Sequence, residues 1–241
     1  MAFNNRVALI TGAGRGIGKA LALTLAQHGA DVVLAARTKS DIDAVARQIK
    51  DMGRESLAVR ADISIEKDVN FLVKRAVKKF GRIDILINNA GIGTFSSVRE
   101  LAVKDFDSMW SINMRGTFLC TKAVLPAMIR QKSGDIVFIA SLAGKNAFAG
   151  GAGYAATKWA MIGFSRCLML EVRKHNIRVI TICPGSVDTS FGDKELRKKV
   201  DNSAMPKPED IARTALMALS APRSVMVSEI DIRPTIPPKE K

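Results

Sequence analysis

The stretch Val7-Ala8-Leu9-Ile10-Thr11-Gly12-Ala13-Gly14-Arg15-Gly16-Ile17-Gly18 decides how this chain is read. Val7 to Ile10 are apolar on consecutive positions, as a strand covered on both faces must be. The run ends at Thr11 and passes directly into glycines, and an amphipathic segment, Gly16–His28, follows. Glycine permits a tight turn and lets backbone approach a pyrophosphate, while the next helix offers that anion free N–H groups and its positive dipole end. A glycine-rich stretch alone is weak evidence; between the first strand and the first helix it has the context the motif requires. Gly12, Gly14, Arg15, Gly16, Ile17 and Gly18 are therefore candidate cofactor contacts.

Outward from this stretch the same alternation repeats. Strand-like runs are Arg6–Thr11, Asp31–Ala36, Ser56–Ala61, Ile83–Asn88, Asp135–Ala140, Ile177–Cys183 and Val225–Ile232. Amphipathic stretches lie between them: Gly16–His28, Ser40–Met52, Glu66–Phe80, Val103–Arg130, Tyr154–His175 and Pro208–Leu219. Such alternation predicts an α/β fold, a doubly wound, mainly parallel sheet with helices on both faces. Seven strands use up the 241 residues, so a single Rossmann-type domain is expected over 1–241, with a substrate-loop segment at 189–207 and an extended tail at 234–241.

Composition narrows the function. Hydrophobic residues make up 47% and charged residues 25%, which argues against disorder. Aromatics at 5% argue against a single-strand nucleic-acid platform. No apolar run reaches about 18 residues, so no membrane span is expected. The N-terminus enters a strand without a charged-then-apolar leader, and three cysteines give no C-x-x-C pair; a cytoplasmic location is expected. Two histidines make an imidazole metal site improbable. The net charge of +14 favours anionic partners. Its basic residues are spread along the chain, so an anionic cofactor or an acidic carrier explains it better than nucleic acid does.

The second strand points to the nucleotide. An NAD site usually ends that strand with an acidic residue that hydrogen-bonds the ribose 2′-OH. Here it ends Ala36-Arg37-Thr38-Lys39, without a carboxylate. Arg37, with Arg15, can instead hold a 2′-phosphate through charge-assisted bonds, so NADP(H) is expected.

The chain has one tyrosine, Tyr154, and Lys158 follows four residues later on the same helix face. Ser141 closes the fifth strand, at the carboxyl side of the sheet where ligands of open α/β folds bind. A phenol with a pKa of about 10 is a poor proton carrier at neutral pH. An adjacent ammonium, joined by an oxidised nicotinamide, is expected to pull it down.

At this point the chain resembles the short-chain dehydrogenase/reductase family from end to end. The matching elements are Thr11-Gly12-x-x-x-Gly16-Ile17-Gly18, Asp62, Asn88-Asn89-Ala90-Gly91, Asn113, Ser141, Tyr154-x-x-x-Lys158, and Pro184-Gly185 with Val187 and Thr189. The resemblance implies that Tyr154 is the general acid in carbonyl reduction and the base in the reverse reaction. It implies that Lys158 lowers the tyrosine pKa and holds the nicotinamide ribose, and that Ser141 bonds the substrate oxygen. Asn113 would sit at a helix kink and keep a water that relays protons. Asp62 and Ile63 would meet the adenine, Asn89, Ala90 and Gly91 the adenosine ribose region, and Pro184, Gly185, Val187 and Thr189 the nicotinamide end.

The resemblance is closest to the 3-oxoacyl-[acyl-carrier-protein] reductase-like branch, through Gly153-Tyr154-Ala155-Ala156-Thr157-Lys158. It implies a small carbonyl or alcohol substrate, carried on an acidic carrier protein or CoA, and a homo-oligomer, tetramer or dimer. Lys132 matches a carrier-docking position near the site mouth; His175 departs from the second, with Arg173 and Lys174 nearby. The last strand, Val227-Ser228-Glu229-Ile230-Asp231-Ile232-Arg233-Pro234, lacks the branch's Gly-Gly turn. The segment between Thr189 and Pro208, which normally covers the substrate, is short and charged. Three readings stay open: an NADPH-dependent reductase of an oxoacyl thioester or another small carbonyl compound, a dinucleotide-binding regulator without turnover, and a nucleic-acid binder.

Overall fold

The structure is a computed structural model that describes residues 2–191 and 205–236. The charged segment Lys194–Lys199 and most of the 234–241 tail lie outside these residues. Seven parallel strands form one sheet in the order β3-β2-β1-β4-β5-β6-β7. They are β1 (Val7–Thr11), β2 (Asp31–Ala36), β3 (Ser56–Arg60), β4 (Ile85–Asn88), β5 (Gly134–Ile139), β6 (Ile177–Pro184) and β7 (Glu229–Ile232). Helices α1 (Gly16–Gln27), α2 (Lys39–Asp51), α3 (Glu66–Phe80), α4 (Val103–Met109), α5 (Thr117–Gln131), α6 (Ala152–Val172) and α7 (Pro208–Ser220) connect them.

The strand pleat divides the core. Val7, Leu9, Val33, Leu86, Ile136, Phe138 and Val179 face α3, α5 and α6. Ala8, Ile10, Val32, Leu34, Ile85, Ile87, Val137 and Ile180 face α1, α2 and α7. Successive residues point to opposite faces and both faces are covered, which is why the inner strands β1, β2, β4 and β5 show no polar alternation, whereas the edge strand β7, Glu229-Ile230-Asp231-Ile232, does. The chain order reverses between β1 and β4, and this opens a crevice at the carboxyl ends of those strands. Among the described residues no helix is long and apolar enough to cross a membrane.

Two elements differ from expectation. The stretch expected as one helix over Val103–Arg130 is α4, a π-helical turn at Trp110–Gly116, and α5. The last strand starts at Glu229 rather than Val225, because Val225 closes a turn on the Pro222 carbonyl (2.8 Å) and gives its own carbonyl to Arg178 (3.2 Å).

At the opposite end of the sheet, one buried carboxylate gathers three arginines. Asp135 pairs with Arg6, with Arg178 Nε at 2.7 Å and with Arg223 at 2.8 Å. Burial pushes its carboxyl pKa up, but the Arg178 hydrogen bond and the Arg6 charge outweigh that and hold it below the usual value. Arg178 also donates to the Leu219 and Ala221 carbonyls at 2.9 Å each, satisfying the orphan carbonyls at the end of α7. Replacing Asp135 with alanine strands buried positive charge, so a loss of about 3–5 kcal/mol is expected. At about 2–4 °C per kcal/mol for a domain of this size, thermal melting should show a Tm lower by roughly 6–20 °C. A Tm within about 2 °C of wild type would mean that solvent already screens the cluster.

Candidate active site

The crevice is a cleft of about 960 Å³. Its cradle begins where β1 ends. Gly12 has φ +65°, and a Cβ there would lie 2.9 Å from Ala90 Cα; one on Gly14 would lie 2.7 Å from Asp41 Cβ. Backbone can therefore approach a ligand here where side chains could not. Helix α1 starts at Gly16 behind an extended Arg15, with no side-chain cap and no acid in its first turn. Its N–H groups and dipole end are thus left to an anion. The residues fit a dinucleotide pyrophosphate.

A clasp holds this turn against the next strand. Thr11 Oγ1 donates to the Ile87 carbonyl (3.3 Å) and accepts from Asn89 N (3.0 Å) and Ala90 N (3.1 Å). Asn89 Nδ2 donates to the Thr11 and Gly12 carbonyls at 2.8 and 3.3 Å. The Asn89 amide therefore fixes the glycine turn as well as lining the cleft. Gly18 has a packing role: a Cβ there would lie 2.3 Å from the Gly12 carbonyl oxygen, and the residue does not line the cleft. Close approach of α1 to the turn requires glycine there.

At the β2 end, Arg37 and Arg15 are exposed and line the cleft, and no carboxylate stands at the strand terminus. Asp62 and Ile63 line the same wall. The Asp62 carboxylate accepts from Ser64 N (2.9 Å) and Ser64 Oγ (2.7 Å), which shapes the turn into α3.

At the inner end stand the polar groups expected to do chemistry. Ser141, Tyr154 and Lys158 line the cleft; Asn113 is fully buried behind it. Tyr154 and Lys158 leave the first two turns of α6, and the Lys158 ammonium lies 5.7 Å from the centre of the Tyr154 ring. Lys158 Nζ donates to the Ile139 carbonyl at 3.0 Å, and burial lowers its pKa to about 8. Asn113 is satisfied on both sides. Its Oδ1 accepts from Ile92 N (2.9 Å), and its Nδ2 donates to the Ile92 carbonyl (2.9 Å) and to Thr157 Oγ1 (3.0 Å). The π-helical turn thus pins the loop after β4 to α6, as such turns often do at functional sites. Pro184, Gly185, Val187 and Thr189 line the remaining wall after β6.

The lowering expected of the phenol belongs to the complex with an oxidised nicotinamide; the protein's own contribution runs the other way. Burial pushes the Tyr154 pKa up to about 12, and the hydrogen bond with Ser141 only partly opposes it. The Lys158 ammonium lies 5.7 Å from the ring centre, and Phe95 and Phe191 pack on that ring at centroid distances of 5.4 and 5.7 Å. Burial among these rings disfavours the charged form. These phenylalanines, with Phe148, went unnoticed in the sequence. Their signal was position: each stands in a segment following the carboxyl end of a strand.

The docking residues are also elsewhere than expected. Lys132 caps the end of α5, and Arg173, Lys174 and His175 precede β6. Both places are at the end of the sheet where strands begin, and the cleft opens where they finish.

A family model described as short chain dehydrogenase matches residues 6–200. Sepiapterin reductase of Chlorobaculum tepidum is 38% identical over 239 residues, covering 95% of this chain and 96% of that one. A metagenomic short-chain oxidoreductase solved in complex with NADP aligns at a TM-score of 0.86 and 34% identity, over 98% of this chain and 100% of that one. The 3-ketoacyl-(acyl-carrier-protein) reductase from Brucella melitensis, complexed with NADH, aligns at 0.87 and 32%, over 97% and 98%. With its glycine cradle, its tyrosine and lysine at one end of one cleft, and a family match across most of its length, the chain belongs to the short-chain dehydrogenase family.

Proposed function

We propose that this oxidoreductase uses NADP(H) to reduce a small ketone or aldehyde to its alcohol, with Tyr154 as the proton donor. The observation that carries the reading is a buried, protonated phenol beside Ser141 at one end of a cleft whose other end carries Arg15 and Arg37.

The glycine turn and the start of α1 would hold the pyrophosphate, Arg15 and Arg37 the 2′-phosphate, and Lys158 the nicotinamide ribose. When bound, the reduced nicotinamide supplies the hydride. Tyr154 keeps its proton at neutral pH because its pKa is about 12. The oxygen of a carbonyl under reduction becomes an alkoxide, a stronger base than a phenolate. Transfer of the proton from Tyr154 Oη to that oxygen is therefore downhill, and the high pKa suits an acid more than a base. Ser141 Oγ orients the carbonyl oxygen, and the Lys158 ammonium favours the phenolate left behind. Asn113 pins the loop after β4 to Thr157, the neighbour of Lys158 on α6, and the proton relay would run in its neighbourhood.

A 3-oxoacyl thioester on a carrier protein or CoA is the second reading, favoured by the likeness to the Brucella reductase. A substrate panel of ketones, aldehydes and 3-oxoacyl thioesters, followed by NADPH oxidation, separates the two; no turnover of any of them counts against both. The same assay tests the cofactor. A charge-assisted hydrogen bond contributes about 1.5–3 kcal/mol, so Arg37→Asp should raise the KM for NADPH by roughly 10- to 150-fold and leave that for NADH little changed. Unchanged KM values for both cofactors reject the 2′-phosphate role.

A further inference from the structure

The proton-donating tyrosine is enclosed by a group of rings. The chain has ten phenylalanines, two tryptophans and one tyrosine, and two of the phenylalanines meet that tyrosine in the cleft while a third packs on one of them. Phe95, after β4, stands edge-on to Tyr154 at 5.4 Å and 75°. Phe148, after β5, packs on Phe95 at 5.9 Å. Phe191, after β6, packs on Tyr154 at 5.7 Å.

Two glycines keep the space these rings occupy. A Cβ on Gly93 would lie 3.1 Å from the Phe191 ring and 3.2 Å from that of Phe95, and a Cβ on Gly151 would lie 2.3 Å from the Phe148 ring. Neither glycine has a positive φ, so room rather than backbone conformation calls for glycine there. The rings are unfinished as a core, since Phe148 is 47% and Phe191 41% exposed while both line the cleft. Leu142, Ala147 and Met205 complete an apolar wall. Among the described residues, the only lysine or arginine lining this end is Lys158, which is engaged with the Ile139 carbonyl.

We propose that Phe95, Phe148 and Phe191 form the specificity box of this enzyme, and that it selects uncharged ketones whose carbonyl carries a planar aromatic group. The inference rests on the reductase reading and deepens it. A flat ring packs on the exposed sides of Phe148 and Phe191, where aromatic pairing adds to simple area burial. A carboxylate or phosphate beside the carbonyl meets apolar surface without a cation to pair with, so 2-oxo acids are disfavoured.

Acetophenone and cyclohexyl methyl ketone test this. They match in carbon skeleton and differ in ring planarity and ring electrons. Conjugation makes acetophenone the less reactive ketone in solution, so a preference for it must come from the protein. The kcat/KM with NADPH should favour acetophenone about tenfold, and Phe95→Leu and Phe148→Leu should each cut that ratio by roughly two- to tenfold. Leucine keeps the sites apolar, and circular dichroism melting confirms the fold of each variant. A ratio at or below one, a ratio the variants leave unchanged, or faster turnover of pyruvate overturns the box. If neither ketone is reduced, equilibrium dialysis of both against the NADP⁺-loaded protein decides. Tighter retention of acetophenone, lost in Phe95→Leu, supports the box while the reductase reading fails. Equal or absent retention overturns the box itself.

Discussion

Tyr154→Phe is expected to lower kcat/KM for carbonyl reduction by about 10²–10⁴-fold, the range of a positioned general acid. The substitution removes one oxygen and keeps the ring that Phe95 and Phe191 contact, so the walls of the cleft persist. The lost hydroxyl is buried with Ser141 as its side-chain hydrogen-bond partner, and Ser141 keeps the amide of Ala143 and the carbonyl of Pro184. The fold therefore has little to lose, and the Tm should stay within a few degrees. The effect should fall on kcat, because the proton moves only in the transition state and substrate binding uses the apolar wall. Stopped-flow single turnover with NADPH and an aryl ketone separates that step from product release. A loss below about tenfold would mean that water or Ser141 delivers the proton.

The sheet was legible because its strands are buried on both faces and its helices carry one apolar stripe each. The second strand, Asp31–Ala36, and the third helix, Glu66–Phe80, fall where the pattern puts them. What the pattern missed depends on contacts distant in sequence. The π-helical turn at Trp110–Gly116 is held by Asn113 reaching Ile92 and Thr157, 21 and 44 residues away, and helix propensity carries no trace of either. The shortened last strand follows from Arg178 taking the Val225 carbonyl, 47 residues away. The Tyr154 and Lys158 spacing correctly placed two side chains on one helix face. It could not say how deeply the phenol would be buried, which pushes its pKa up to about 12. The phenylalanine box has no sequence periodicity, because its members come from the loops after three different strands. The glycines that admit them read in sequence as ordinary turn residues.

The same burial that raises the phenol lowers the lysine, and this fixes a pH dependence. Lys158 goes from 10.5 to about 8 because its ammonium is out of water, with the nearby Cys183 opposing the shift only in part. Below pH 8 it is charged and favours the phenolate formed as Tyr154 gives up its proton; above pH 8 that help is lost. Reduction should therefore show kcat/KM flat below about pH 8 and falling toward a lower plateau above it. At an effective dielectric constant near 20, a unit charge at about 4–8 Å contributes roughly 2–4 kcal/mol, so the two plateaus should differ by roughly 30- to 1000-fold. Lys158→Met should sit near the lower plateau at all pH values, without the inflection. Stability should move the other way. The folded pKa lies below the unfolded one, so the charged lysine destabilises the fold fully below about pH 8, and this cost disappears as pH rises toward 10.5. Lys158→Met should thus melt higher than wild type at pH 7, and the gap should close by about pH 10.5. An inflection near pH 8 that survives in Lys158→Met would assign the titration to another group and leave the ammonium without its role in proton transfer.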